Sequence, residues 1–322
     1  MMHCSRLSEL PPPPKGKTGW PWTEETAPAP AAMPAGQAWP RISIVTPSFN
    51  QGRYLEETIR SILLQGYPNL EYLVIDGGSN DQSVEIIRKY ATWIDHWESK
   101  PDRGQAHAIN KGLGQASADI LAWLNSDDIY LPGAVQRIAS ELTCRPDTDI
   151  ISGQCRVWCG KADDEFIGPS PLRTYKDFLC VGSNWMQKRL ILQPEAFFRK
   201  RAYVAVGGLR EDISYAFDVD LWMRFARAGF RFESIPVPLA NLRLHPAQKT
   251  ADPYVGYQDL CQLAWHHLKA DWPTFGDEAV AIADDILYGM EQIGAHYQDK
   301  YRLVNSSTSY RLGRLVTQLR FW

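Results

Sequence analysis

Four short stretches of the chain carry groups suited to holding a polar ligand. They are Thr46-Pro47-Ser48-Phe49-Asn50, Asp76-Gly77-Gly78-Ser79, Asp102-Arg103-Gly104-Gln105 and Asn125-Ser126-Asp127-Asp128. Hydroxyls, amides and carboxylates donate and accept hydrogen bonds, and neighbouring aspartates offer hard oxygens to a divalent cation. A fifth group, Asp218, opens a stretch of helical periodicity. Each has a plain structural reading. Thr-Pro-Ser-x-Asn suits a strand exit and helix cap, Asp-Gly-Gly-Ser suits a tight turn, and an aspartate before a helix caps it. Any one alone is more often structural; four in succession are harder to explain as caps.

The surrounding pattern says what must position them. Residues 42–45, 70–75, 94–98 and 120–124 read as short strands, the first, second and fourth as apolar runs. Between them, residues 51–65 carry Leu55, Ile59, Ile62 and Leu63 at helical spacing, and 81–90 carry Val84, Ile87 and Tyr90 on one face. Residues 105–112 form a further short helix, and 132–142 a helix with Pro132 suited to its first turn. Strands alternating with helices over short links imply an α/β fold with a mostly parallel central sheet flanked by helices. In such a sheet, ligands bind beyond the carboxyl ends of the strands, where the four stretches fall. Past residue 150 the alternation weakens. A strand at 150–157, a loop at 163–171, a helix at 218–228, two short strands at 231–235 and 239–244, and long helices at 254–270 and 277–293 are expected.

Composition bounds the classes. The 322 residues carry 34 basic and 37 acidic side chains, a balance that argues against nucleic-acid binding. No run of 18 apolar residues is present, and the first ten residues lack a secretory signal's apolar core. The six cysteines are irregularly spaced; Cys155 and Cys159 resemble half a zinc site with no second pair, so free thiols in a reducing cytoplasm are expected. Residues 1–40 hold nine of the 22 prolines and are expected to be extended or disordered, a loosely held tail from which Trp20 and Trp22 could dock.

The ordered motifs resemble family 2 glycosyltransferases. The matching stretches are Ser43-Ile-Val-Thr-Pro-Ser-Phe-Asn50, Val74-Ile-Asp-Gly-Gly-Ser-Asn-Asp81, Asp102-Arg-Gly-Gln105 with Ala108-Ile-Asn-Lys-Gly112, and Leu121-Ala-Trp-Leu-Asn-Ser-Asp-Asp128. Gln193-Pro194, Gly207-Gly208, Asp218-Val-Asp-Leu-Trp222 and Arg243-Leu-His245 extend the likeness to about residue 250. The resemblance implies a GT-A fold with C-terminal helices and inverting sugar transfer from a nucleotide-diphosphate sugar to a hydroxyl acceptor. The organisation it implies is a tail at 1–40, a catalytic domain at 41–250 (donor half 41–132, acceptor half 133–250) and a helical extension at 251–322.

It also implies roles residue by residue. Thr46, Pro47, Ser48 and Asn50 would line the base and ribose, Asp76 would bond the nucleobase, and Arg103, Lys111 and Ser126 would lie on the donor side. Asp127, with Asp128 directly or through water, would hold Mn²⁺ or Mg²⁺ against the diphosphate. The usual Asp-x-Asp reads here Asn125-Ser126-Asp127, lacking the first carboxylate, and His107 stands where many relatives carry an aspartate. His245 would join the metal shell, a reading left level with a structural one. Asp218 would be the general base. Trp185 and Trp222 would shape the acceptor site, since sugar C–H faces pack on aromatic rings. His266-His267, on a helical stretch without acidic partners, reads as surface or packing.

By family habit the acceptor would be a growing polysaccharide or a lipid-linked glycan, the enzyme being cytoplasmic. Residues 301–322 carry Arg302, Arg311, Arg314 and Arg320 without an acidic residue, and such a basic amphipathic helix could lie on the inner membrane face; packing on the body or on a second subunit is the alternative. Two rival readings remain open: a non-catalytic sugar-nucleotide binder, and a nucleotide-binding α/β enzyme such as a methyltransferase or dehydrogenase. Against the latter, the first strand lacks a Gly-x-Gly-x-x-Gly turn.

Overall fold

A computed structural model describes residues 4–158, 165–249 and 253–305. The first half alternates strictly: β1 (Ile42–Ser48), α1 (Gly52–Leu63), β2 (Leu70–Asp76), α2 (Ser83–Tyr90), β3 (His96–Ser99), α3 (Gln105–Gln115), β4 (Ile120–Trp123). The second half is less regular: β5 (Ile129–Tyr130), α4 (Ala134–Cys144), β6 (Ile150–Trp158), β7 (Glu165–Ile167), α5 (Tyr175–Leu179), α6 (Val181–Met186), β8 (Ala196–Arg199), α7 (Lys200–Ala205), α8 (Phe217–Arg227), β9 (Phe232–Arg243), α9 (Pro253–Phe275) and α10 (Glu278–Asn305).

One sheet runs β3-β2-β1-β4-β8-β6-β9-β5, with β7 paired to β6. The β3-β2-β1-β4 block is parallel, as the alternation predicts. Beyond it the sheet is mixed, because β8 enters antiparallel to both β4 and β6, while β6 and β9 run parallel. Side chains alternate between two apolar layers with the period of two that a strand dictates. Val45, Leu73, Ile75, Leu121 and Trp123 face a layer shared with α3, α8, α9 and α10, whereas Ile44, Tyr72, Val74 and Ala122 face α1, α2 and α4. The C-terminal helices therefore share a core with the sheet.

Three elements differ from expectation. The tail is irregular, as its prolines require, yet it is docked: Leu10, Trp22, Met33 and Trp39 are buried, and Trp20 Nε1 donates to the Tyr130 carbonyl at 2.8 Å. Its anchor is Arg60, fully buried on α1, which donates to the carbonyls of Pro11 (2.8 Å), Pro21 (3.0 Å) and Trp22 (3.0 Å). A buried guanidinium is tolerated when its donors are used in this way. Second, the two short strands at 231–235 and 239–244 are one strand, β9. Pro236 and Pro238 interrupt the sequence pattern, but the β6 partner absorbs the irregularity as register shifts between Ser152 and Cys155. Gly153 permits this, since a Cβ there would meet Leu239 at 2.5 Å. Third, 163–171 contains the short strand β7 rather than loop throughout. Cys159 and the basic segment from 306 onward lie outside the described residues.

Candidate active site

Register brings the strand ends together. Ser48 pairs with Asp76 and Asp76 with Ser99, so the three parallel strands close in one row; Val45 pairs with Trp123, and the 125–128 turn leaves at the same end. The loops beyond are bonded to one another. Asn50, at φ 53°, accepts from the Asn80 amide at 2.9 Å, and its own amide donates to Ser79 Oγ at 2.7 Å. The Gly52 amide, an orphan donor at the start of α1, is satisfied by Asp81 Oδ2 at 2.8 Å.

Asp76 is consumed by this architecture. Oδ2 accepts from the amides of Gly78 (3.1 Å) and Ser79 (2.9 Å) and from Ser99 Oγ (2.6 Å), while Oδ1 accepts from Ser79 Oγ (2.5 Å). The residue expected at the nucleobase thus holds its own turn. Ser48 differs: its Oγ is buried with no hydrogen-bond partner among the described residues. Thr46 is buried and accepts from the Tyr72 hydroxyl at 3.1 Å. Phe49, which the motif reading passed over, is 61% exposed between Ser48 and Asn50. An apolar ring left in water at a strand end is the one signal that could have marked it.

The expected phosphate contacts are already paired. Arg103 donates twice to Glu211 Oε2, at 3.0 and 2.6 Å, and Lys111 pairs with Glu98. Ser126 is buried in the 125–128 turn, where Asn125 Oδ1 accepts from Gln105 Nε2 at 2.8 Å.

The end of β9 reaches this turn because β5, which follows it directly, pairs antiparallel with β9 through Ile129↔Asn241. His245 Nε2 consequently lies 3.1 Å from Asp127 Oδ2, its ring 4.6 Å from that of Tyr54. Its Nδ1 is buried with no partner among the described residues. Asp128 turns the other way: Oδ1 accepts from the Arg243 amide at 2.8 Å, and burial first, then the Asp127 charge, pushes its pKa up. Arg243 also bonds the Asp127 carbonyl (2.9 Å) and Glu57 Oε2 (2.9 Å), and stacks 4.2 Å from the Trp158 ring. Of the three expected metal ligands, Asp127 and His245 are brought together and Asp128 is spent on β9. No group of three or more His, Cys, Asp or Glu side chains suited to a metal occurs among the described residues.

Asp218 begins α8. The Val219 amide donates to Oδ1 at 2.9 Å, and no side chain among the described residues hydrogen-bonds to the carboxylate. Although partly accessible, it is crowded by protein, and this desolvation pushes its pKa up to about 6 against the opposing pull of Lys249. The Lys249 ammonium lies 5.5 Å from the rings of Tyr215 and Phe217.

Two expectations are corrected. Trp222 is 1% exposed and is a core residue rather than an acceptor platform, because its ring packs among Trp123 (5.9 Å), Phe198 (6.0 Å) and Phe225 (5.8 Å). His267 is not without an acidic partner: it is buried, its Nε2 3.0 Å from Asp220 Oδ1. Trp185 lies on α6, its side chain outside the described part of the structure.

Residues 43–195 match the family model described as glycosyl transferase family 2. An uncharacterized glycosyltransferase of Rickettsia typhi is 29% identical over 222 residues, covering 66% of this chain and 66% of the relative. One from Mycobacterium tuberculosis is 29% identical over 194 residues, covering 58% and 69%. The chain thus spans just under two thirds of the Rickettsia relative's length. Among solved structures, S. aureus TarS 1–349 in complex with UDP-GlcNAc aligns with a TM-score of 0.57 at 16% identity, over 77% of this chain and 71% of that one. A mannosyltransferase from Pyrobaculum calidifontis in complex with GDP-Man and Mn²⁺ aligns with a TM-score of 0.58 at 19% identity, over 91% and 81%. At such identities the likeness is one of fold, the GT-A-like α/β arrangement of glycosyltransferases.

Proposed function

From the match of residues 43–195 to the glycosyl transferase family 2 model, we propose that this chain is a glycosyltransferase in which the β1–β4 ends and the start of α8 move a sugar, with inversion, from a nucleotide-diphosphate donor to a hydroxyl of a glycan or lipid-linked acceptor. The observation that carries this reading is Asp218: a carboxylate of raised pKa at the start of α8, with no side-chain partner among the described residues. A carboxylate with pKa about 6 is mostly ionised at pH 7 yet more basic than an ordinary one, which suits removal of an acceptor proton as the hydroxyl attacks the anomeric carbon.

The donor side follows from the other free groups. The buried, partnerless Ser48 Oγ and the exposed Phe49 ring face a nucleoside that can bond one and stack on the other. Asp76 shapes the turn that holds them. Arg103 and Lys111 sit on the diphosphate side, where phosphate oxygens compete with Glu211 and Glu98 for them. Asp127 and His245 suit a divalent cation: two protein ligands are few, but Mg²⁺- and Mn²⁺-type sites commonly complete their shell with water and substrate phosphates. When bound there, such a cation would screen the diphosphate charge and stabilise it as a leaving group.

No helix among the described residues is long and apolar enough to cross a membrane. The basic stretch 301–322 would instead bring the enzyme to an anionic lipid surface, consistent with a lipid-linked acceptor. Liposome co-sedimentation of the full chain against one ending at Tyr301 tests that contact; equal binding removes it. The transfer itself is tested with sugar nucleotides, among them UDP-GlcNAc and GDP-mannose, with and without Mn²⁺ or Mg²⁺. Cation-dependent release of nucleotide from at least one donor is expected; absence of both binding and release across the panel would overturn the assignment.

A further inference from the structure

We propose that Asp220 is a positioning residue for the transfer: bonded through both oxygens, it fixes the first turn of α8 and with it the placement of Asp218. This rests on the reading of Asp218 as the proton acceptor. Asp220 is fully buried. Its Oδ2 accepts from Arg224 Nε at 2.7 Å, its Oδ1 lies 3.0 Å from His267 Nε2 on α9, and Arg210 Nη1 stands 3.9 Å away. Burial alone would favour the neutral acid, but the His267 hydrogen bond and the Arg224 charge outweigh it and hold the carboxyl below its usual range.

The bonding continues outward. His267 Nδ1 lies 3.2 Å from the Tyr175 hydroxyl on α5, which donates to Asp271 Oδ2 at 2.8 Å, and Arg227 closes the chain on Asp271 Oδ1 at 2.5 Å. Tyr175 has a single proton and gives it to Asp271. On the opposite side, Arg224 Nη1 donates to the Val206 carbonyl at 2.8 Å, at the start of the loop whose Glu211 holds Arg103. One buried carboxylate therefore joins α8 to α9, to α5 through His267, and to the loop that reaches the donor side.

The helix makes this connection consequential. Residues two apart in an α-helix project about 200° from each other. Asp218 and Asp220 both lie in the first turn of α8, so any rotation of that turn moves both. A surface pair at the same spacing would not impose this, because exposed ion pairs hold their geometry weakly.

The test compares Asp220→Asn, His267→Gln and Asp218→Asn with wild type, using the sugar nucleotide that the panel identifies, with Mn²⁺. Turnover per folded molecule, KM, calorimetric donor affinity and the pH profile are measured. For Asp220→Asn, kcat is expected to fall about 10- to 100-fold while donor affinity stays within about twofold, the signature of a misplaced rather than missing group. The acid limb should also move to lower pH, because the Asp220 carboxylate no longer offsets the Arg224 and Arg210 charges near it, with Lys249 unchanged. A merely structural role would lower the folded fraction and leave both kcat per folded molecule and the limb in place, and that result overturns the proposal. If Asp220→Asn does not fold, His267→Gln, which keeps the Asp220–Arg224 pair, should still lose about 3- to 10-fold in kcat at constant KM; unchanged kcat there is equally fatal. Full turnover in Asp218→Asn would instead sink the underlying reading, so the two failures are distinguishable.

Discussion

The loops after β1–β3 and the segments beyond β4 spend their carboxylates differently. On the β1–β3 side, Asp76 accepts four hydrogen bonds from its own turn and Ser99, Asp81 caps α1, and Asp102 accepts from the Gly104 amide at 2.7 Å. Beyond β4, Asp127 meets only the His245 ring and, at the start of α8, Asp218 receives one backbone amide among the described residues. A satisfied carboxylate builds shape; an unsatisfied one has bonding capacity left for a ligand or a proton. The comparison assigns scaffold to the first set and chemistry to the second, although both look alike as motif aspartates.

Substitutions can break that division. Asp127→Ala should lower cation-dependent nucleotide release by about 100-fold or more, the scale on which a group stabilising leaving-group charge acts, while far-UV circular dichroism and the melting temperature change little. Asp76→Ala should do the reverse. It strands four part-buried donors, so a stability loss of about 1–2 kcal/mol in urea unfolding is expected, with activity falling through donor KM more than kcat. Were Asp127→Ala to unfold the chain, or Asp76→Ala to leave stability intact, the division would be wrong. The smallest effect is in pH. Asp218 works as the ionised form, so turnover should fall as pH drops through about 6, roughly tenfold between pH 7 and 5, and be flat above 7. A limb near pH 4 would place the base in an ordinary, hydrated environment instead.

The same contrast governs what could be read from the sequence. The β1–β4 block was legible because its helices and buried strands obey their own periods and its functional groups fall at the strand ends. The Asp127–His245 pair was legible only through the resemblance, since 118 residues separate the two and the β5–β9 pairing joins them. The rest depends on tertiary partners that leave no local trace. β8 is four residues long and owes its existence to β4 and β6. The proline-rich tail has no period, yet it is fixed by scattered anchors and by Arg60, a charged residue on α1 that reads as solvent-facing until its three carbonyls are seen. Trp222 and His267 look like surface candidates by type, and both are buried because α8 and α9 pack face to face with the sheet.

Asp218→Asn is the most direct test of the account. At pH 7 in Mn²⁺, the variant should bind the sugar nucleotide as wild type does, release at least about 100-fold less nucleotide, and melt at a higher temperature, because the charge whose burial raises the Asp218 pKa is gone. A variant with wild-type turnover and an unchanged melting temperature would contradict it.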